Sequence, residues 1–189
     1  RQRGARSGVD TGAPRDVVAS LAQGLRVHLD EGAKLVPKAS LVVQIDEPSL
    51  PSVLAGRLPT ASGFGRIRAI DPTTAVEGLR EVVAAAGTRN TVLHCCAPDI
   101  PLVLLRDTGV TAVSVDISVL SPKAWESVAA TVEGGVDVWA GVIPTDGNKS
   151  SPRAEVTAVI GPLVEAWHRV GLPRSELSRV TLTPACGLA

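Results

Sequence analysis

The 189-residue sequence predicts an α/β fold, an incomplete TIM-type β/α barrel with parallel strands in which about five of the eight β/α units are present. Three observations predict it. Five short, Val-rich apolar segments alternate with amphipathic stretches of helical length, the pattern of parallel strands joined by crossover helices. Four of those five segments end in Asp, Glu, His or Cys, and in a barrel the chemistry gathers at the C-terminal ends of the strands. A doubly wound sheet satisfies the alternation equally well, but neither a GxGxxG turn nor a P-loop follows any segment, so nucleotide-binding folds lose ground.

Residues 1–14 are polar and Gly-rich, the composition of a flexible arm or linker, which leaves 15–189 as the barrel part. Over 15–36, Val18, Leu21, Leu25, Leu29 and Leu35 recur near helical periodicity, and Pro37 ends the run. LVVQIDEP at 41–48 reads as a strand buried on both faces whose acidic end meets solvent. Residues 73–86 read as a helix, TVLHCC at 91–96 as a strand, and 100–107 as a short helix. AVSVDI at 112–117 is the third strand and 122–132 a helix. VDVWAGVI at 136–143 is the fourth strand, 152–170 a helix, and VTLTPACG at 180–187 the last strand. Five strands do not close an eight-stranded barrel, so about three β/α units are expected before Arg1 and a final helix after Ala189. The absence of Met and the start at Arg1 agree with a fragment.

Lys plus Arg and Asp plus Glu both number 19, so no net field points to nucleic acid, an anionic membrane or a polyanionic substrate. No apolar run approaches the ~18 residues of a spanning helix, and the Arg-rich start has no apolar region behind it, so the expectation is a soluble cytoplasmic protein. The three cysteines are Cys95, Cys96 and Cys186; an odd count with two adjacent fits metal or catalytic use better than a disulfide framework.

His94 and Cys96, two apart on an extended segment, share one face, while Cys95 between them points away and reads as a core residue. Asp116 ends the next strand and Cys186 ends the last, and a barrel allows all four to converge. One His, two thiolates and a carboxylate make a borderline-soft donor set suited to tetrahedral zinc. A His or Cys at a strand end is more often ordinary packing, and Asp116 alone is as readily a cap for the following loop. The pattern gains its meaning from the company these residues keep.

QIDEP, then HxC, then an acidic strand end, then TPACGL, in this order over residues 41–189, resembles the catalytic domain of cobalamin-independent methionine synthase and its shorter actinobacterial relatives. The resemblance implies zinc ligation by His94, Cys96, Asp116 and Cys186, with Asp46 of QIDEP holding the amino group of the substrate beside Glu47. It implies methyl transfer from 5-methyltetrahydrofolate to homocysteine, the protein thiolates acting as ligands rather than nucleophiles. Two positions depart from the family pattern. Asp116 stands where the family has Glu, and GVIPTDGNKSSP lacks the family's proton-delivering His, leaving Asp146 or water to substitute. His28 and His168 fall in predicted helices and read as ordinary helix residues. Two alternatives remain at this stage: a corrinoid-dependent or other thiol methyltransferase of the same fold, and an inactive zinc-binding barrel fragment.

Overall fold

A computed structural model describes residues 12–145 and 156–187. Helix α1 (Ala13–Leu35) leads into β1 (Val42–Asp46), the short α2 (Leu50–Leu54) and α3 (Pro72–Ala84). Strand β2 (Asn90–Cys95), α4 (Leu102–Arg106), β3 (Ala112–Asp116), α5 (Pro122–Glu133) and β4 (Asp137–Ile143) follow. The described chain closes with α6 (Val156–Arg169) and β5 (Val180–Pro184). Most of the expected 1–14 arm, the start of the expected 152–170 helix, and Asp146 lie outside the described residues; Ala13 and Pro14 already belong to α1.

The sheet runs β1-β2-β3-β4-β5, every neighbouring pair parallel, and is not closed. This strand order removes the doubly wound alternative, in which the order reverses at a switch point. Sequential strands joined by crossovers of one hand set all helices on one face, as in part of a TIM-type barrel. The contacts agree: α1 packs on α3, α3 on α4, α4 on α5 and α5 on α6.

Local chemistry starts the helices where the chain must turn. Asp71 accepts a hydrogen bond from Thr73 N at 2.8 Å ahead of Pro72, and Ser121 Oγ accepts one from Ala124 N at 3.2 Å ahead of Pro122. Each satisfies an otherwise orphaned helical N–H, with proline pre-set for the first turn. The core lies between sheet and helices, built on Leu93, Val113, Val115, Val138 and Ala140 from the strands against Leu105, Trp125, Val128 and Trp167 from the helices. A satellite cluster of Leu29, Val43 and Ala86 seats α1.

Strand β1 alternates: Val43 is buried among the helices while Val42, Gln44 and Asp46 are exposed on the opposite face. That opposite face is the concave side of the sheet, and it carries the site. No helix among the described residues is long and apolar enough to cross a membrane.

Candidate functional site

Parallel pairing aligns residues across strands, and one row runs Asp46, His94, Ser114, Trp139 from β1 to β4. Side chains in one register row project to the same face, so four chemically distinct groups line one layer of the concave side. One step toward the C-terminal ends, the next row holds Asp116, Gly141 and Thr183. Above these rows opens a cavity of about 520 Å³, lined by Gln44, Asp46, His94, Cys96, Trp139 and Cys186 among others. Its volume suits a small-molecule ligand.

His94, Cys96 and Cys186 come together: their ligand atoms lie within 4.8 Å of one another. Cys96 Sγ and Cys186 Sγ are 3.5 Å apart. In a flat sheet β2 and β5 would stand three strand spacings apart, about 14 Å. Curvature of the sheet, and the path of the chain after β5, close that distance. A bulge interrupts the β4–β5 register between Gly141 and Ile143, and Ala185 N donates to Ile143 O at 2.8 Å. The chain therefore leaves the strand at Pro184, three residues short of the expected end at 187, and swings Cys186 over the end of β4. Gly141 makes the crossing possible. A Cβ added there would lie 2.7 Å from Ala185 Cα, 2.9 Å from Val115 O and 3.1 Å from Pro184 O.

The donor set fits zinc. Two thiolates bound at about 2.3 Å with tetrahedral angles stand about 3.8 Å apart, close to the observed spacing, and three protein ligands leave a fourth position for a substrate or water. Burial and then the neighbouring Cys186 push the Cys96 thiol above its ordinary range. A metal there would have to displace protons on binding. His94 is buried, with Nδ1 3.0 Å from Ser114 Oγ.

The other sequence-predicted residues are placed as follows. Cys95 is 1 % exposed and belongs to the core, on the face opposite Cys96; burial pushes its thiol up, and the charge of Glu47 adds to this. Asp46 lines the cavity, its Oδ1 accepting from Gln44 Nε2 at 2.8 Å. Asp116 is not among the converging three. Its Oδ1 accepts from Ser118 N at 2.9 Å and from Ser118 Oγ at 2.7 Å, which caps the 3₁₀ turn Ile117–Val119. Glu47 does not line the cavity, because consecutive residues at a strand end alternate faces. His28 and His168 are exposed on α1 and α6.

Burial, followed by the charge of Asp46, raises the Glu47 pKa above the ordinary carboxylate range. The folded state therefore holds this proton more tightly than the unfolded chain, and stability falls as pH rises through the folded value. Glu47→Gln is expected to abolish that fall. Urea midpoints of wild type and variant should coincide near about pH 4 and separate, the variant higher, by about pH 7. Equal midpoints at both pH values would contradict this.

Sequence reasoning passed over Gln44, Ser114, Trp139, Gly141 and Thr183. Period-two alternation links Gln44 to Asp46 and Ser114 to Asp116, but which residues face one another across strands depends on register. Thr183 Oγ1 is buried without a hydrogen-bond partner among the described residues and lines the same cavity. Trp139 is the tryptophan of the concave face, whereas Trp125 and Trp167 are core residues.

Parallel strands whose C-terminal ends surround a cavity with a convergent His and two thiols, and with Asp46 on its wall, are the arrangement of part of a β/α-barrel enzyme domain. Residues 3–189 match the family described as the catalytic domain of cobalamin-independent synthase, and the chain belongs to that family. The resemblance carried by QIDEP, HxC and TPACGL is thereby shown for nearly the whole chain. No curated protein matches the sequence.

Proposed function

We propose that this domain transfers a methyl group from 5-methyltetrahydrofolate to the thiol of homocysteine, with zinc held by His94, Cys96 and Cys186. The observation that carries the reading is the convergence of those three ligand atoms within 4.8 Å in the cavity that also holds Asp46. Zinc, when bound, supplies a Lewis acid that keeps a coordinated thiol deprotonated and nucleophilic at neutral pH.

The chain's own residues do the rest. Asp46, oriented by Gln44, offers a carboxylate at the cavity wall where the ammonium of an amino-acid thiol can pair with it. A simple alkyl thiol has no use for that carboxylate. Trp139 and Pro48 add apolar wall, which limits water beside the sulfur. In the transfer a sulfur–methyl bond forms and the bond between the methyl and N5 of the folate breaks. The proton lost by the thiol balances the one gained at that nitrogen. Membership in a cobalamin-independent family favours this donor over a corrinoid one.

Asp46→Asn is the test. It keeps the shape and removes the charge, so homocysteine should bind roughly tenfold or more weakly, the worth of one charged hydrogen bond, while zinc content stays unchanged. Zinc-edge absorption spectra with and without homocysteine give the direct readout. A new zinc–sulfur bond at saturating homocysteine is the expected result, and an unchanged spectrum would reject homocysteine as the acceptor.

A further inference from the structure

We propose that Ser114 is a positioning residue for the metal site: it ties down Nδ1 of His94 so that Nε2 faces the two thiols. The proposal rests on the metal reading above and extends it to a residue that no motif marks. Strand register places the two residues directly opposite, His94 on β2 against Ser114 on β3. Both are buried, 8 % and 4 % exposed, and Ser114 Oγ stands 3.0 Å from Nδ1. Among the described residues it is the only side-chain hydrogen-bond partner of this imidazole.

An imidazole has two nitrogens, and a free ring can rotate or exchange its proton between them, presenting either one to a metal. With Nδ1 engaged by a hydroxyl fixed on the neighbouring strand, Nε2 is left for coordination. In the loaded state Nδ1–H donates to Ser114 Oγ, the arrangement by which ligating histidines are usually oriented from behind. The thiols do not perform this task, since Cys96 and Cys186, with sulfurs 3.5 Å apart, are the other members of the converging ligand set. Asp46, the other neighbour of His94 in the register row, has its Oδ1 engaged by Gln44.

Zinc dissociation constants from chelator competition, with ring ¹⁵N shifts of His94, test the assignment in the 189-residue protein. Ser114→Ala should weaken zinc about 10- to 100-fold, the usual effect of removing such a partner. Ser114→Thr, which keeps the hydroxyl, should restore affinity. The metal-induced shift should fall on Nε2. Unchanged affinity in a folded Ser114→Ala protein, or a metal shift on Nδ1, overturns the proposal. Failure of wild type to bind zinc would reject the metal reading itself. The metal-free ¹⁵N spectra would then decide the role of Ser114: a ring-nitrogen pattern altered by Ser114→Ala upholds the tie, and identical patterns reject it.

Discussion

Serine at Cys96 or Cys186 is expected to take the zinc content of the purified protein from about one equivalent to near zero. Each substitution changes one atom. The alcohol that replaces the thiol is a far weaker acid and a harder donor, so it does not supply the anionic sulfur that a tetrahedral site of this type needs. Among the described residues three protein ligands converge, and losing one leaves a pair, short of the three that catalytic zinc sites retain. Cys95→Ser is the internal control. Cys95 neighbours Cys96 in the chain but faces the core, so the variant should keep its metal while losing some stability to a buried hydroxyl. Elemental analysis of the three proteins decides the matter. Zinc retained in both Cys96→Ser and Cys186→Ser would show that the site is misassigned, and zinc lost only in Cys95→Ser would shift the strand register by one.

Gly141→Ala should cost about 1–3 kcal/mol of stability, the range for overpacking a filled interior, and should weaken zinc along with it. The added methyl meets backbone on three sides, Ala185 Cα, Val115 O and Pro184 O, none of which can rotate away as a side-chain tip could. The segment that must move is the one carrying Cys186. Gly24 provides the contrast. It lies within α1 with nothing within 4 Å of an added Cβ, so Gly24→Ala should stabilise by up to about 1 kcal/mol through helix propensity. Urea unfolding read by circular dichroism, with chelator competition on the same samples, measures both effects. Equal stabilities for wild type and Gly141→Ala would mean that Cys186 does not depend on the crossing.

The five strands and the helices between them were legible because short apolar segments alternate with stretches of helical periodicity, the first of which Pro37 ends. Helix α2, the 3₁₀ turns Ile117–Val119 and Arg174–Arg179, and the antiparallel bridge between Pro59 and Arg66 were not. Each is too short to show a period and is held by local hydrogen bonds rather than by an apolar pattern. Within the site, the alternation of HCC separated Cys96 from Cys95, and TPACGL marked Cys186. Asp116 illustrates the limit: a carboxylate at a strand end serves a loop cap or a ligand equally well, and the position of Ser118 two residues on engages it as a cap. Ser114 and Trp139 needed the pairing of strands, which is a property of the folded sheet and not of any one segment.

The sulfurs of Cys96 and Cys186 meet from positions 90 residues apart in the chain. An ion held between them would be a clasp across the arc of the sheet, fastening β2 to β5 while β3 and β4 contribute no ligand of the converging set. Any flattening of the arc would pull the clasp open, so affinity for the ion becomes a gauge of curvature. The coupling runs both ways: an ion that binds only the curved form stabilises it by about 4 kcal/mol when present at a thousand times its dissociation constant. Rigidity of the whole sheet would then follow metal supply, with the strands between the ligands stiffened although they touch no metal.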